Sequence, residues 1–470
     1  MTDPIWQWSA TKTADAIRNK DISCLEAANA HIERMHAVNP TLNAVVVDMT
    51  DTALEAAKAA DEAVARGEAL GPLHGVAITI KQNTDVEGFA NPIGVLAMKD
   101  LIAPSDAPVV RNLKKAGAIC IGLTNTPEFS LRGVTDNPLH GQTLNPWDSA
   151  ITCGGSSGGA GAALAMGIGA LAHGNDIGGS LRWPAHCNGV ATIRPTLGRV
   201  PAYNESAAAE RPLAAQLFSV QGPMARSIAD LRLGLEVMAQ YDSRDPWWVP
   251  APLPGPPARR KVGVAPVSAD MKPDAEVMAV IAQAAEHLAA EGYEVEEIEV
   301  PELSEGWWNW FDLLMAEIRI LQESAMRPIA STDFNKVLDN YIAIGRELDM
   351  AGYMNALSER SRHLRNWLAL LDEYPVILAP VSVQPTFGPQ EDLKGPQAVR
   401  NMWADAGRYI GTMNHLGLPS AVVPVGLAHG HPVGVQLVAA RYREDLALEA
   451  AEAIEKHAGQ LVRQLWARAG

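Results

Sequence analysis

Two hydrophobic rhythms run along the chain. Short apolar runs bounded by Gly, Pro or Asn read as buried strands, and longer stretches with apolar residues three and four apart read as helices. Positions 9–38 predict two helices. Ser9 opens the first, and Ser23 caps the second, CLEAANAHIERMHAVNP, which is expected to stop at Asn39-Pro40. A strand is expected at 43–47 and an amphipathic helix at 50–66. The run Val76-Ala77-Ile78-Thr79-Ile80-Lys81 then reads as a buried strand that ends on a lysine. A helix at 107–117 and a strand at 118–122 continue the strand–helix alternation of an α/β protein. Beyond residue 200 the pattern predicts helices at 226–240, 273–292, 303–372 and 443–457. Strands are expected at 260–266, 294–301 (near an edge), 375–380, 418–426 and 432–439. No repeat or long polar linker divides the chain, so one domain over 1–470 is expected.

Residues 152–182, TCGGSSGGAGAALAMGIGALAHGNDIGGSLR, break both rhythms. Two clusters, Gly154-Gly155-Ser156-Ser157-Gly158-Gly159 and Asp176-Ile177-Gly178-Gly179-Ser180, read as turns joined by a helix of small residues. Glycine loses more backbone freedom on folding than any other residue. Packed this densely, it points to sharp turns and to free N–H groups aimed at a ligand.

Composition narrows the function. The chain has 54 acidic against 38 basic residues, a net charge of −16, which argues against nucleic acid and anionic membrane surfaces as partners. No apolar run is long enough to span a membrane, and residues 1–20 lack the pattern of a secretory signal. Cys24, Cys120, Cys153 and Cys187 form no CxxC pair and read as reduced thiols in a cytoplasmic protein. His429-Gly430-His431 reads as a hairpin turn, since no third metal ligand accompanies it; no metal is expected. The GGSSGG run lacks the Lys-Ser/Thr ending of a phosphate loop.

Two motifs compete for the chemistry. Gly154-Gly155-Ser156-Ser157-Gly158 fits the G-x-S-x-G nucleophile elbow of an α/β-hydrolase esterase, with Ser156 as nucleophile. That reading leaves Lys81 and Ser180 idle. The segments GVAITIKQN, GAICIGLTNTPEFS, NPWDSAITCGGSSGGAGAALAMG, GNDIGGSLRWPAHCNGVATIRPT, GLPSAVVPVG and GHPVGVQLV use them all. On these segments the sequence resembles the amidase signature family over nearly its whole length. Lys81 precedes Ser156 by 75 residues, and Ser156 precedes Ser180 by 24, separations typical of that family.

The resemblance implies a single large α/β domain with a central twisted mixed β-sheet covered on both faces by helices. The catalytic core would lie at about 70–240, and 258–470 would complete the sheet and supply the pocket helices. It also implies a Ser–cis-Ser–Lys relay: nucleophile Ser180, bridging Ser156 and base Lys81. The N–H groups of Ile177, Gly178, Gly179 and Ser180 would form the oxyanion hole, and Thr152, Ser157, Asp176 and Arg182 would support it. The reaction implied is hydrolysis of carbonyl C–N bonds through an acyl-Ser180 intermediate, without cofactor, by a monomer or homodimer. Substrates would be small amides, including aryl amides and carbamates (urethanes), with esters on the side. The family also holds the glutaminase component of the tRNA-dependent amidotransferase. TNTPEF differs from the TNMDEF-like run of that component, which favours a stand-alone enzyme. Cys153 and Trp183 depart from the family pattern, which usually has Pro at the first place and a smaller aliphatic residue or Phe at the second. The aromatic cluster at 307–311 reads as core or helix seam by packing alone. As candidate pocket wall it contributes Trp307, Trp308 and Trp310, to which Trp183 and Met315 are added.

Overall fold

The computed structural model describes residues 3–468. One mixed sheet organises them. Its strands are Val45–Asp48 (β1), Ala77–Lys81 (β2), Ile119–Thr124 (β3), Leu171–Asp176 (β4), Ala191–Arg194 (β5), Val220–Ala225 (β6), Lys261–Val264 (β7), Glu294–Glu297 (β8), Val376–Pro380 (β9), Ser420–Ala428 (β10) and His431–Ala439 (β11). They lie in the order β1-β3-β2-β4-β6-β5-β10-β11-β9-β7-β8. β2 is parallel to both β3 and β4, and β7 to both β8 and β9; the other pairings are antiparallel.

Side chains alternate across this sheet, and the core splits accordingly. On β10, Ala421 and Val423 join the cluster that holds Ile228, Leu231, Val277, Leu288, Leu448 and Ile454, from helices Ile228–Met238, Ala275–Ala290 and Glu444–Ala458. Val422 between them joins Ala160, Leu164 and Trp183, from helices Gly158–Ala165 and Arg182–Asn188 on the opposite face. Helices therefore cover both faces, as the fold class requires.

Three readings of the pattern need correction. The helix expected to stop at Asn39-Pro40 runs from Cys24 to Leu42, with Pro40 inside it and Asn43 closing it in the left-handed region (φ 52°). Asn39 steadies this end, since its side-chain oxygen accepts the Ala44 and Val45 N–H groups at 2.9 Å each. The small-residue segment is not one helix. It forms helix Gly158–Ala165 and then strand β4, whose LAHGND sequence has no β-branched residue. Being hydrogen-bonded between β2 and β6 makes it a strand despite that. β5 and β6 are additions to the expected strands, because the Gly222-Pro223 pair inside β6 reads as turn punctuation.

Long-range caps tie the N-terminal segment to this frame. The buried Asp230 accepts the Ala10 N–H (3.0 Å), the Thr11 N–H (2.9 Å) and the Thr11 hydroxyl (2.8 Å). Replacing Asp230 by Ala leaves buried donors unpaired and is expected to cost about 1–3 kcal/mol, measured by denaturant unfolding.

Candidate active site

Parallel neighbours end at the same edge of a sheet. β2, β3 and β4 therefore deliver their C-terminal residues together: Lys81 at the end of β2 and Asn83 just after it, Asn125 to Ser130 after β3, and Asn175, Asp176 and Ile177 at the end of β4. In open α/β sheets ligands bind in the crevice at this edge. Here a cavity of about 840 Å³ opens there, with Asn83, Ser130, Ser156, Asn175 and Ile177 in its lining.

Lys81 is fully buried. Its Nζ stands 2.7 Å from Ser156 Oγ, 3.0 Å from Ser157 Oγ and 2.8 Å from Asn175 Oδ1. Burial pushes the amine well below its ordinary value of 10.5, and the nearby Asp176 carboxylate opposes that only in part. The peptide bond between Gly155 and Ser156 is cis. The Ser157 N–H donates to the Ser180 carbonyl (3.2 Å), which ties the two glycine-rich turns together. Ser180 is 8% exposed and does not itself line the cavity. Among the described residues no histidine hydrogen-bonds Ser156 or Ser180, so the nucleophile-elbow reading lacks its base.

A sequence model of the amidase family matches residues 26–448. The chain belongs to the amidase family. It is 58% identical over 465 residues to the indoleacetamide hydrolase of Bradyrhizobium diazoefficiens (strain USDA 110), a match covering 98% of this chain and 89% of that one. It is 33% identical over 481 residues to the acylamidase of Rhodococcus erythropolis, over 97% of this chain and 96% of the relative. In three dimensions it is similar to a 6-aminohexanoate cyclic dimer hydrolase solved with its substrate. The TM-score is 0.83 at 26% identity, covering 98% of this chain and 100% of the other. The protein is an amide-hydrolysing enzyme of the amidase signature fold.

The amidase holds its second turn with a buried ionic network. Asp176 Oδ1 accepts the Gly179 N–H (2.8 Å) and Asn414 Nδ2 (2.7 Å), and Oδ2 accepts the Leu181 N–H (3.2 Å) and Arg182 Nε (3.1 Å). Burial alone would raise the Asp176 carboxyl. The charges of Arg182 and Arg194 and the hydrogen bonds from Arg182 and Asn414 overcome that and hold it well below the usual range. Arg182 also donates to Gln436 Oε1 (3.0 Å) and the Ile410 carbonyl (3.0 Å). Of the four N–H groups expected as oxyanion donors, that of Gly179 is taken by Asp176. Ile177, Gly178 and Ser180 N–H bond to nothing among the described residues. Thr152 Oγ1 accepts the Gly154 N–H (3.0 Å), bracing the first turn rather than touching Ser156.

Protein packing leaves no room for a side chain at either turn glycine. A Cβ on Gly178 would lie 2.4 Å from the Trp310 ring, and one on Gly179 (φ +101°) would lie 2.2 Å from Ile410 Cγ2. Trp310 thus backs the loop, and its Nε1 donates to the Ile177 carbonyl at 2.8 Å. None of the five expected wall residues lines the cavity. Trp183 is buried against Phe387 and Trp403, with Nε1 donating to the Gly133 carbonyl at 3.0 Å. Trp307 stacks on Phe311 (centroids 5.0 Å apart), Trp308 meets Arg346 and Arg400, and Met315 is core. The apolar wall comes instead from Phe129, Leu131, Leu314, Ile318 and Met326.

Sequence reasoning passes over Asn83, Asn175, Ser130, Asn414 and Gln436. The first two sit inside the motifs KQN and GND, and strand-end register is the signal that would find them. Cys153 and Cys187 stay inert thiols, since burial pushes Cys153 to about 12 and Cys187 well above its ordinary value. His429 and His431 flank the β10–β11 turn and pair with Asp274 and Asp148, and no metal-binding cluster exists among the described residues.

Gly179→Ala combines a steric clash with a left-handed backbone. It is expected to cost about 2–4 kcal/mol in thermal unfolding and to lower kcat by displacing the loop.

Proposed function

We propose that this amidase hydrolyses small uncharged amides with an aromatic acyl part, of the kind that its 58%-identical relative is named for, indoleacetamide. The observation that carries the reading is a dehydrated lysine 2.7 Å from a hydroxyl at the floor of a cavity with apolar walls. A neutral amine can act as a base; an ammonium cannot. Lys81 takes the proton of Ser156 as Ser156 takes that of Ser180, and Ser180 Oγ bonds to the substrate carbonyl carbon. The N–H groups of Ile177, Gly178 and Ser180 stabilise the oxyanion. The relay then reverses and protonates the nitrogen, the C–N bond breaks, and ammonia leaves. A water deprotonated by the same relay cleaves the acyl-Ser180 ester and releases the carboxylic acid. Esters and aryl carbamates offer the same carbonyl with a leaving group and are proposed as secondary substrates. No metal or organic cofactor takes part in this scheme.

Lys81→Ala and Ser180→Ala are expected to fold and to lose at least about 1,000-fold in kcat on indoleacetamide. A fluorophosphonate should label Ser180. A fully active Lys81→Ala enzyme overturns the scheme, and labelling at Ser156 returns it to the nucleophile elbow.

The pH profile follows from the direction of the Lys81 shift. The active form is the neutral amine, so kcat/KM rises with pH. Because burial lowers the lysine, the midpoint of that limb falls well below 10.5. A limb centred at the ordinary lysine value would contradict a buried base.

A further inference from the structure

An amine that acts as a base has one lone pair and two N–H bonds, and it must aim the lone pair. Three oxygens surround Lys81 Nζ: Ser156 Oγ, Ser157 Oγ and Asn175 Oδ1. Asn175 Oδ1 carries no hydrogen, so it can only accept from the lysine. Ser157 Oγ donates its proton to the Asn175 carbonyl (3.3 Å), so toward the lysine it too accepts. Both N–H bonds of a neutral Lys81 are thereby committed. The remaining position, the lone pair, faces Ser156.

We infer that Asn175 is a positioning residue for the proton relay: its side-chain oxygen, held in place by Asn83, orients the Lys81 lone pair toward Ser156. This inference rests on the reading of Lys81 as the base. The orientation of the Asn175 amide is set by its neighbours. Asn175 Nδ2 donates to Asn83 Oδ1 (2.7 Å), while Asn83 Nδ2 donates to Ser130 Oγ (2.9 Å) and back to Asn175 Oδ1 (3.1 Å). A flipped Asn175 would turn its NH₂ on the lysine and lose the acceptor. The pair is anchored further out, where Asn204 Nδ2 donates to the Asn83 carbonyl (2.9 Å). The neutrality of Asn175 matters as much as its oxygen. The other charged or titratable groups near Lys81 are Asp176 and His173 on β4. Asp176 is engaged by Arg182 on the following helix, with Arg194 of β5 at 3.9 Å, and His173 Nε2 is paired with Gln221 at 2.8 Å. A carboxylate at position 175 would be the first anion in direct contact with the amine.

The test is the pH dependence of kcat and kcat/KM on indoleacetamide for Asn175→Asp, Asn175→Leu and Asn83→Ala, with Lys81→Ala as reference. Asn175→Asp keeps shape and acceptor but stabilises the ammonium. Its rising limb should move up by at least about one pH unit, with rate recovering at high pH. Asn175→Leu should lose at least about ten-fold in kcat at every pH, with KM changed by less than about three-fold. Asn83→Ala, which frees the Asn175 amide to rotate, should lose kcat by a smaller factor and keeps the inference testable if Asn175→Leu does not fold. A residue that merely supports the fold would lower activity without moving the limb. An Asn175→Asp profile that superimposes on the parent's, or unchanged kcat in both Asn175→Leu and Asn83→Ala, overturns the positioning role. If Lys81→Ala is itself active, the base assignment has failed. If it is inactive while Asn175→Asp shows no shift, only the role of Asn175 has failed.

Discussion

The structure depends on keeping one amine out of water. Lys81 closes a strand that is buried along its whole length, and at that depth an ammonium would lose its hydration without a direct counter-ion. Proteins resolve such a conflict by pairing the charge or by removing it. This one does not pair it. The oxygens in contact with Nζ are two hydroxyls and an amide, all uncharged. The nearest carboxylate, on Asp176, is engaged by Arg182 with Arg194 nearby, so little of its field is left to hold a proton on the lysine. The two arginines therefore do two jobs. They make a buried Asp176 tolerable, and they leave little to oppose the lowering that burial imposes on Lys81.

That network explains why the site cannot be assigned to one stretch of sequence. Asp176 and Arg182 belong to the glycine-rich turn, but the groups that complete their hydrogen bonds, Asn414 and Gln436, lie more than 230 residues further on. Removing one member of a buried ion pair strands the other, at a cost of about 3–5 kcal/mol. The turn that offers the free N–H groups is thus held by the C-terminal elements as firmly as by its own glycines. Gly179 shows the coupling directly, since the space a side chain would need is filled by Ile410.

What the sequence made legible and what it hid divide along a physical line. β2 and β3 were plain because continuous apolar runs suffice for strands covered on both faces. The resemblance to the amidase signature family, supported by the 75- and 24-residue separations, marked Lys81, Ser156 and Ser180 as a set, and the structure places the lysine against Ser156. β4 and β6 were hidden because LAHGND and the Gly-Pro pair in VQGPMA have little strand preference of their own, and β5 because four residues are too short a run to stand out, for all its Thr192 and Ile193; neighbouring strands impose the conformation. Asn175 and Asn83 were hidden for a related reason. Neither is unusual in its local sequence, and their meaning lies in two parallel strands ending level with each other. The tryptophans misled because composition reports that an aromatic cluster exists but not which way it faces.

The cavity wall shows how that direction is decided. Leu314, Ile318, Gln322 and Met326 all line the cavity, in steps of four residues, while Trp307, Phe311 and Met315 turn into the core. In a regular α-helix a step of four overshoots a full turn by about 40°, so three such steps would carry the last residue off the shared face. The segment is not regular. Helix Leu303–Glu317 passes into a π-helical turn, Ile318–Gln322, before the short helix Glu323–Met326. The wider turn counters the overshoot and keeps one edge of the segment facing the cavity. It also sits beside Glu317, which accepts the Ala214 and Ala215 N–H groups and the Tyr353 hydroxyl (2.6, 3.2 and 2.6 Å) and so fixes where the turn begins. A wall built this way draws its shape beyond Glu317 from a break in helical periodicity, which carries the cavity-lining edge on to Gln322 and Met326.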